Sequence, residues 1–183
     1  ILIFHSLVTY CYSAPLRHEG HGGPVMGLAI SPDRKLLVST SFDYSVLIWR
    51  LNEIREINQL MGHEAAVNVA KFSNSGKLLG TAGDDAKIFL WDTNNSIISP
   101  STHFILYDHT AKVVDIDFSK DDRYLASASW DHSIKIWNVK TGELIQSILG
   151  HDGPVNSVKF SDNGQFLYSA GYDGTIKYWK KTL

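Results

Sequence analysis

Residues 127–137 read SASWDHSIKIW. Ser129, Asp131 and His132 fall within four consecutive positions of it, and these are the residue types of a hydrolase triad. A catalytic constellation occurs once, in one cleft, whereas an architectural one recurs with the fold. The rest of the chain decides between them, because three further segments have the same layout.

Aligned on a His and a Trp, the segments are GHGGPVMGLAISPD…SFDYSVLIWR, GHEAAVNVAKFSNSG…GDDAKIFLWD, DHTAKVVDIDFSKDD…SWDHSIKIWN and GHDGPVNSVKFSDNG…GYDGTIKYWK. The histidines are His21, His63, His109 and His151, and each precedes its tryptophan, Trp49, Trp91, Trp137 or Trp179, by 28 positions. Successive histidines are 42, 46 and 42 residues apart, and the extra length of the second interval falls between Trp91 and His109. Each copy begins with a β-rich run such as VVDIDF and passes a polar turn (SPDR, SNSG, SKDD or SDNG) into a second run such as YLASAS. A tight turn with an Asp leads to a third run ending at the Trp, and segments such as REINQL and ELIQSIL supply a fourth. No amphipathic helical period interrupts the pattern, so the chain reads as all-β, with four strands per repeat.

The Gly-His dipeptides, the Trp91–Asp92 dipeptide and the period near 42 together resemble the WD-repeat β-propeller family. The resemblance spans residues 20–180, with repeats starting near 20, 62, 108 and 150. It departs from the family pattern where three repeats end in Trp-Arg, Trp-Asn and Trp-Lys, and where repeat three opens Asp108–His109. The implied fold is a β-propeller of four-stranded antiparallel blades. With four repeats, and with the chain stopping soon after Trp179, the expectation is a fragment of a seven- or eight-bladed parent whose last blade lacks its fourth strand.

Six residues before each Trp lies an Asp (Asp43, Asp85, Asp131 and Asp173), and ten before it lies a hydroxyl (Ser39, Thr81, Ser127 and Ser169). Ser129 and His132 do not recur in this way: their equivalents are Ser41, Gly83 and Gly171, and Tyr44, Ala86 and Gly174. The resemblance implies that His, Ser/Thr, Asp and Trp form one hydrogen-bonded network per blade. Buried indole, imidazole and carboxylate groups each need a partner, and a shared network supplies all of them. SASWDHSIKIW is therefore read as architecture, and the chain as a protein without catalytic residues.

Composition narrows the rest. The 183 residues carry a formal charge of −2, which gives no global reason to bind nucleic acid. A single cysteine, Cys11, excludes an internal disulfide and a CxxCH haem site, and the other histidines lack metal-ligand spacing, so no cofactor or metal is expected in this chain. Residues 1–15 form an apolar segment, too short to span a membrane, that reads either as a truncated signal peptide, favouring export, or as a strand closing the propeller. Residues 16–183 make up the repeat domain. The stretch DIDFSKDD reads as a solvated strand face and turn.

Function belongs on the loops. Immediately before each turn Asp are Phe42, Asp84, Trp130 and Tyr172, candidates for partner contact or for covering a neighbouring blade, with Arg123, Lys112 and Glu64 as a polar rim. The expected function is a scaffold that docks protein partners, with self-association if four blades are all there is. PLRHEGHGGPVMGLAISPD with SFDYSVLIW also resembles bacterial exported proteins that join a WD-repeat propeller to a c-type cytochrome, and that resemblance implies the alternative: the docking module of an exported electron-transfer protein whose haem domain would lie outside this chain.

Overall fold

A computed structural model describes residues 18–94 and 97–181, and both readings of the N-terminal segment lie outside them. The described residues contain fifteen strands and no helix. Blade 1 comprises β1 (Val25–Ile30), β2 (Leu36–Ser41), β3 (Val46–Arg50) and β4 (Arg55–Leu60). Blade 2 comprises β5 (Val67–Phe72), β6 (Leu78–Gly83), β7 (Lys87–Asn94) and β8 (Ile97–Tyr107). Blade 3 comprises β9 (Val113–Phe118), β10 (Tyr124–Ser129), β11 (Ser133–Asn138) and β12 (Leu144–Leu149). Among the described residues blade 4 has three strands, β13 (Val155–Phe160), β14 (Phe166–Gly171) and β15 (Ile176–Lys180). Within each sheet, consecutive strands pair antiparallel.

Two turns per blade set this meander, and both need a left-handed residue. In the turn between the first two strands, Arg34, Gly76, Asp122 and Gly164 have φ of 59°, 72°, 57° and 66°. Before each of them a serine (Ser31, Ser73, Ser119 or Ser161) accepts through Oγ the N–H of Leu36, Leu78, Tyr124 or Phe166, at 2.9–3.1 Å. In the turn between the second and third strands, Tyr44, Ala86, His132 and Gly174 have φ of 73°, 61°, 69° and 73°. Glycine fills three of these eight positions, and the other five residues carry the strain of a Cβ.

The core lies between blades rather than inside any one of them. Leu36, Val38 and Ile48 pack with Leu79, Phe89 and Trp91 between blades 1 and 2. Ile88, Leu90 and Leu106 pack with Ile116, Leu125 and Trp137 between blades 2 and 3, and Ala128 and Ile134 with Val155 and Val158 between blades 3 and 4. At about 2 kcal/mol for each fully buried aliphatic side chain, these contacts hold the row together. The first strands β1, β5, β9 and β13 are neighbours across blades. At the ends of the row, Leu28 and Ile30 of β1 and Ile176 and Tyr178 of β15 are exposed. A cleft of about 680 Å³ beside β15 is lined by Ile145, Ile148, Phe160, Phe166 and Tyr178, among others.

DIDFSKDD is not a solvated face. Asp117 is buried, and its carboxylate accepts from the Phe160 N–H at 2.9 Å and from Lys159 Nζ. Asp115 accepts from Ser157 Oγ at 2.7 Å and the Val158 N–H at 3.0 Å. Asp122 accepts from the backbone N–H groups of Asn74 and Ser75, each at 2.7 Å. Acidic side chains at these positions join blade 3 to its neighbours on both sides, where orphan backbone donors would otherwise be costly.

Candidate functional site

Antiparallel order places the Gly-His loops and the Asp turns at the same end of the blades, and the serine turns at the other. The first end is called here the network face. In blade 3, Trp137 Nε1–H donates to Ser127 Oγ at 2.9 Å, His109 Nε2 lies 2.7 Å from the same oxygen, and His109 Nδ1 lies 2.7 Å from Asp131 Oδ2. Blade 2 repeats this with Trp91, Thr81, His63 and Asp85 at 2.9, 3.0 and 2.8 Å. In blade 4, Trp179, Ser169, His151 and Asp173 stand at 3.0, 2.8 and 2.8 Å. In blade 1, Trp49 and His21 reach Ser39 at 2.8 and 2.7 Å, but His21 Nδ1 is 3.3 Å from Asp43 and closer, 2.9 Å, to Ser45 Oγ.

The hydroxyl accepts the indole N–H and can donate its own proton to imidazole Nε2, leaving Nδ1–H for the carboxylate. The sequence Ser127–His109–Asp131 is thus connected in the order of a hydrolase triad, though not through Ser129 or His132. Ser127 is fully buried and its oxygen is capped by Trp137, so it meets no substrate. Ser129 instead donates to the Ala111 carbonyl and accepts the Asp131 N–H, while His132 is exposed at its left-handed turn.

The network carboxylates are held below their ordinary pKa. Burial is the largest single influence on Asp85 and Asp131 and opposes ionisation; the bonds from His63 and His109, joined by the Lys87 and Glu64 N–H groups in one blade and by Ser133 in the other, together outweigh it. In Asp43 and Asp173 the same opposition from burial is overcome first by Ser45 and Thr175. Ser45, Ser133 and Thr175, two residues after the Asp, donate to Oδ1 at 2.6–2.7 Å. Sequence reasoning missed these hydroxyls, although three of four blades carry one at that spacing; blade 2 has Lys87 there.

Four in-frame matches to the family model described as "WD domain, G-beta repeat" cover residues 13–50, 54–92, 100–138 and 142–180. The chain belongs to the WD40 family. This WD40 chain is 31% identical to transcription initiation factor TFIID subunit 5 of Caenorhabditis elegans, over 76% of its own length and 21% of that protein. It is 34% identical to human apoptotic protease-activating factor 1, over 69% of its length and 10% of that protein. It is 35% identical to the U5 small nuclear ribonucleoprotein 40 kDa protein of Dictyostelium discoideum, over 55% of its length and 27% of that protein. The chain thus spans less than a third of the length of each of these relatives.

The rim of the network face separates by residue type. Phe42 and Tyr172 are 53% and 63% exposed; Trp130 is half-buried, edge-on to Tyr172 at 5.4 Å, with Lys112 Nζ 3.5 Å above its ring. Asp84 is exposed and accepts from Asn68 Nδ2 at 2.8 Å. Met61, Tyr107 and Leu149, the residues two before His63, His109 and His151, are all strongly exposed. Of the polar rim expected in the sequence, Glu64 pairs with Lys87 at 2.8 Å on this face. Arg123 does not belong to it: the residue follows the β9–β10 turn at the opposite face, bonded to Asp121 at 2.7 Å.

Charge separates too. Among the described residues the network face has nine carboxylates, Glu19, Glu64, Asp84, Asp108, Asp152 and the four network aspartates, against the four lysines Lys87, Lys112, Lys135 and Lys177. Among the described residues, no lysine or arginine is exposed on it, whereas Glu19, Glu64, Asp84, Asp108 and Asp152 all are. Lys135 is buried against Asp108, and Lys177 reaches the Gly150 carbonyl. At the opposite face Arg34, Lys35, Arg50, Arg55, Lys77, Lys120, Arg123, Lys140, Lys180 and Lys181 are all exposed, interspersed with the exposed carboxylates Asp33, Glu53, Asp121, Glu143 and Asp162.

Proposed function

We propose that this WD40 chain is a non-catalytic platform that docks a protein partner on its network face, with no bound cofactor of its own. The observation that carries the reading is the recurrence of exposed apolar side chains at fixed blade positions on that face: Phe42 and Tyr172 inside, Met61, Tyr107 and Leu149 outside. A rigid frame that leaves aromatic rings in water is suited to partner binding, because large rings lose little rotamer entropy on contact. The named relatives give no support to the cytochrome-docking alternative.

Partner capture by the wild type, by Phe42→Ala/Tyr172→Ala and by Lys120→Ala/Lys140→Ala at the opposite face tests the reading. Loss of the same captured protein with the first pair alone supports it. Loss with the second pair alone, or with neither, overturns it.

A further inference from the structure

Both faces of the row expose carboxylates, but only the opposite face exposes lysines and arginines beside them, and that difference names the partner's chemistry. On the network face the lysines are withdrawn. Lys135 is buried on Asp108, Lys87 holds Glu64, Lys177 turns to a carbonyl, and Lys112 lies over the ring of Trp130. The carboxylates of the same loops stay at the surface. The network aspartates, ionised at neutral pH, add to the field. An anionic partner would meet this field at every blade, and a cationic one would be drawn to it.

A second observation fixes where a cation would sit. Asp84, Asn68, Val113, Lys112, Trp130 and Tyr172 form one continuous strip across blades 2, 3 and 4. Asn68 Nδ2 bonds both Asp84 Oδ1 and the Val113 carbonyl, Lys112 caps Trp130, and Trp130 meets Tyr172 edge-on. The strip already holds one ammonium on an aromatic face, at 3.5 Å. Tyr172 beside it presents an open ring, and Asp84 stands at the far end as counter-ion.

We propose that the network face takes a cationic, Lys- or Arg-bearing extended segment of a partner protein along the strip from Asp84 to Tyr172. The assignment rests on the protein-binding reading above and specifies its occupant. Aromatic contact and charge act together: the rings supply desolvated area and the carboxylates supply attraction and register.

The test is fluorescence anisotropy of labelled nona-arginine and nona-glutamate peptides against the whole chain, at about 0.05 M and about 0.5 M salt. Nona-arginine binding is expected, weakened about tenfold or more by Asp84→Lys/Asp152→Lys and several-fold by the uncharged change Tyr172→Ser. The pair Lys120→Glu/Lys140→Glu at the opposite face should leave it no weaker. Asp84→Asn/Asp152→Asn gives a milder version of the charge variant should the lysine pair lower the melting temperature. No nona-arginine binding, or binding indifferent to Tyr172→Ser and to both acidic variants, overturns the proposal. Nona-glutamate binding that Tyr172→Ser abolishes would also overturn it while leaving the protein-docking reading intact. Concentration-dependent self-association abolished by the same network-face variants would place a second copy on the strip and likewise overturn it. The docking reading itself falls only if partner capture is indifferent to Phe42→Ala/Tyr172→Ala.

Discussion

The two loop faces are built by the same device and finished differently. Each has a left-handed residue in every blade and a side-chain acceptor that closes the turn: Asp43, Asp85, Asp131 and Asp173 on one face, Ser31, Ser73, Ser119 and Ser161 on the other. On the network face the acceptor is charged and tied to a buried imidazole, and exposed rings and acids surround it. At the opposite face the acceptor is a neutral hydroxyl among exposed lysines and arginines, several of them paired with acids. The difference teaches that the repeat keeps its turn geometry while leaving surface chemistry free to diverge between faces.

The largest expected effect lies in the network. Asp131→Ala removes the bonds from His109 and Ser133 and should lower the unfolding free energy by about 3 kcal/mol, read from the urea midpoint. Acid gives the same comparison without mutation. The folded-state pKa of Asp43, Asp85, Asp131 and Asp173 is depressed, so their contribution is present above the unfolded carboxylate value of about 4 and is lost as pH falls through the lower folded value. Melting temperature should drop below that pH, and less steeply in Asp131→Asn.

At the opposite face, Asp122→Ala removes acceptors for Asn74 and Ser75 and should cost about 1–2 kcal/mol, with the junction of blades 2 and 3 exchanging amide hydrogens faster. His132→Gly and Arg34→Gly relieve a left-handed Cβ on one face each, and each should gain about 1 kcal/mol. Unequal gains would show that one turn is held by more than its backbone. Smallest of all, Phe42→Ala/Tyr172→Ala should move stability by no more than about 0.5 kcal/mol, as exposed rings away from the core do. Unfolding by that pair would make the rings core after all.

The sequence made the blades legible because a repeat supplies its own controls: Ser129 gives way to glycine in two blades, while Ser127, Asp131, His109 and Trp137 have a counterpart in every one. Relations within one repeat could therefore be read, including the left-handed site at His132 in hindsight, since glycine stands there in blade 4. Relations between blades could not. Asp115, Asp117 and Asp122 look like solvent-facing acids until β13 and the β5–β6 turn are placed beside them. Residue type alone groups Arg123 with Lys112, though the two lie at opposite ends of β9 and β10. Charge polarity stays hidden for the same reason: a net charge of −2 averages a face without exposed cations and a face that mixes both signs.

The carboxylate staples of blade 3 also grade the row mechanically. Asp115 and Asp117 hook the backbone of β13, and Asp122 hooks the β5–β6 turn, whereas Gly27 and Ala29 stand in blade 1 where Asp115 and Asp117 stand in blade 3. The joint between blades 1 and 2 leans instead on apolar packing, with Asn58 Nδ2 reaching the Ile98 carbonyl. Hydrogen bonds are directional and apolar contact is not. Under a pulling force, blades 3 and 4 should travel as one stiff body, and slippage should begin where blade 1 meets blade 2.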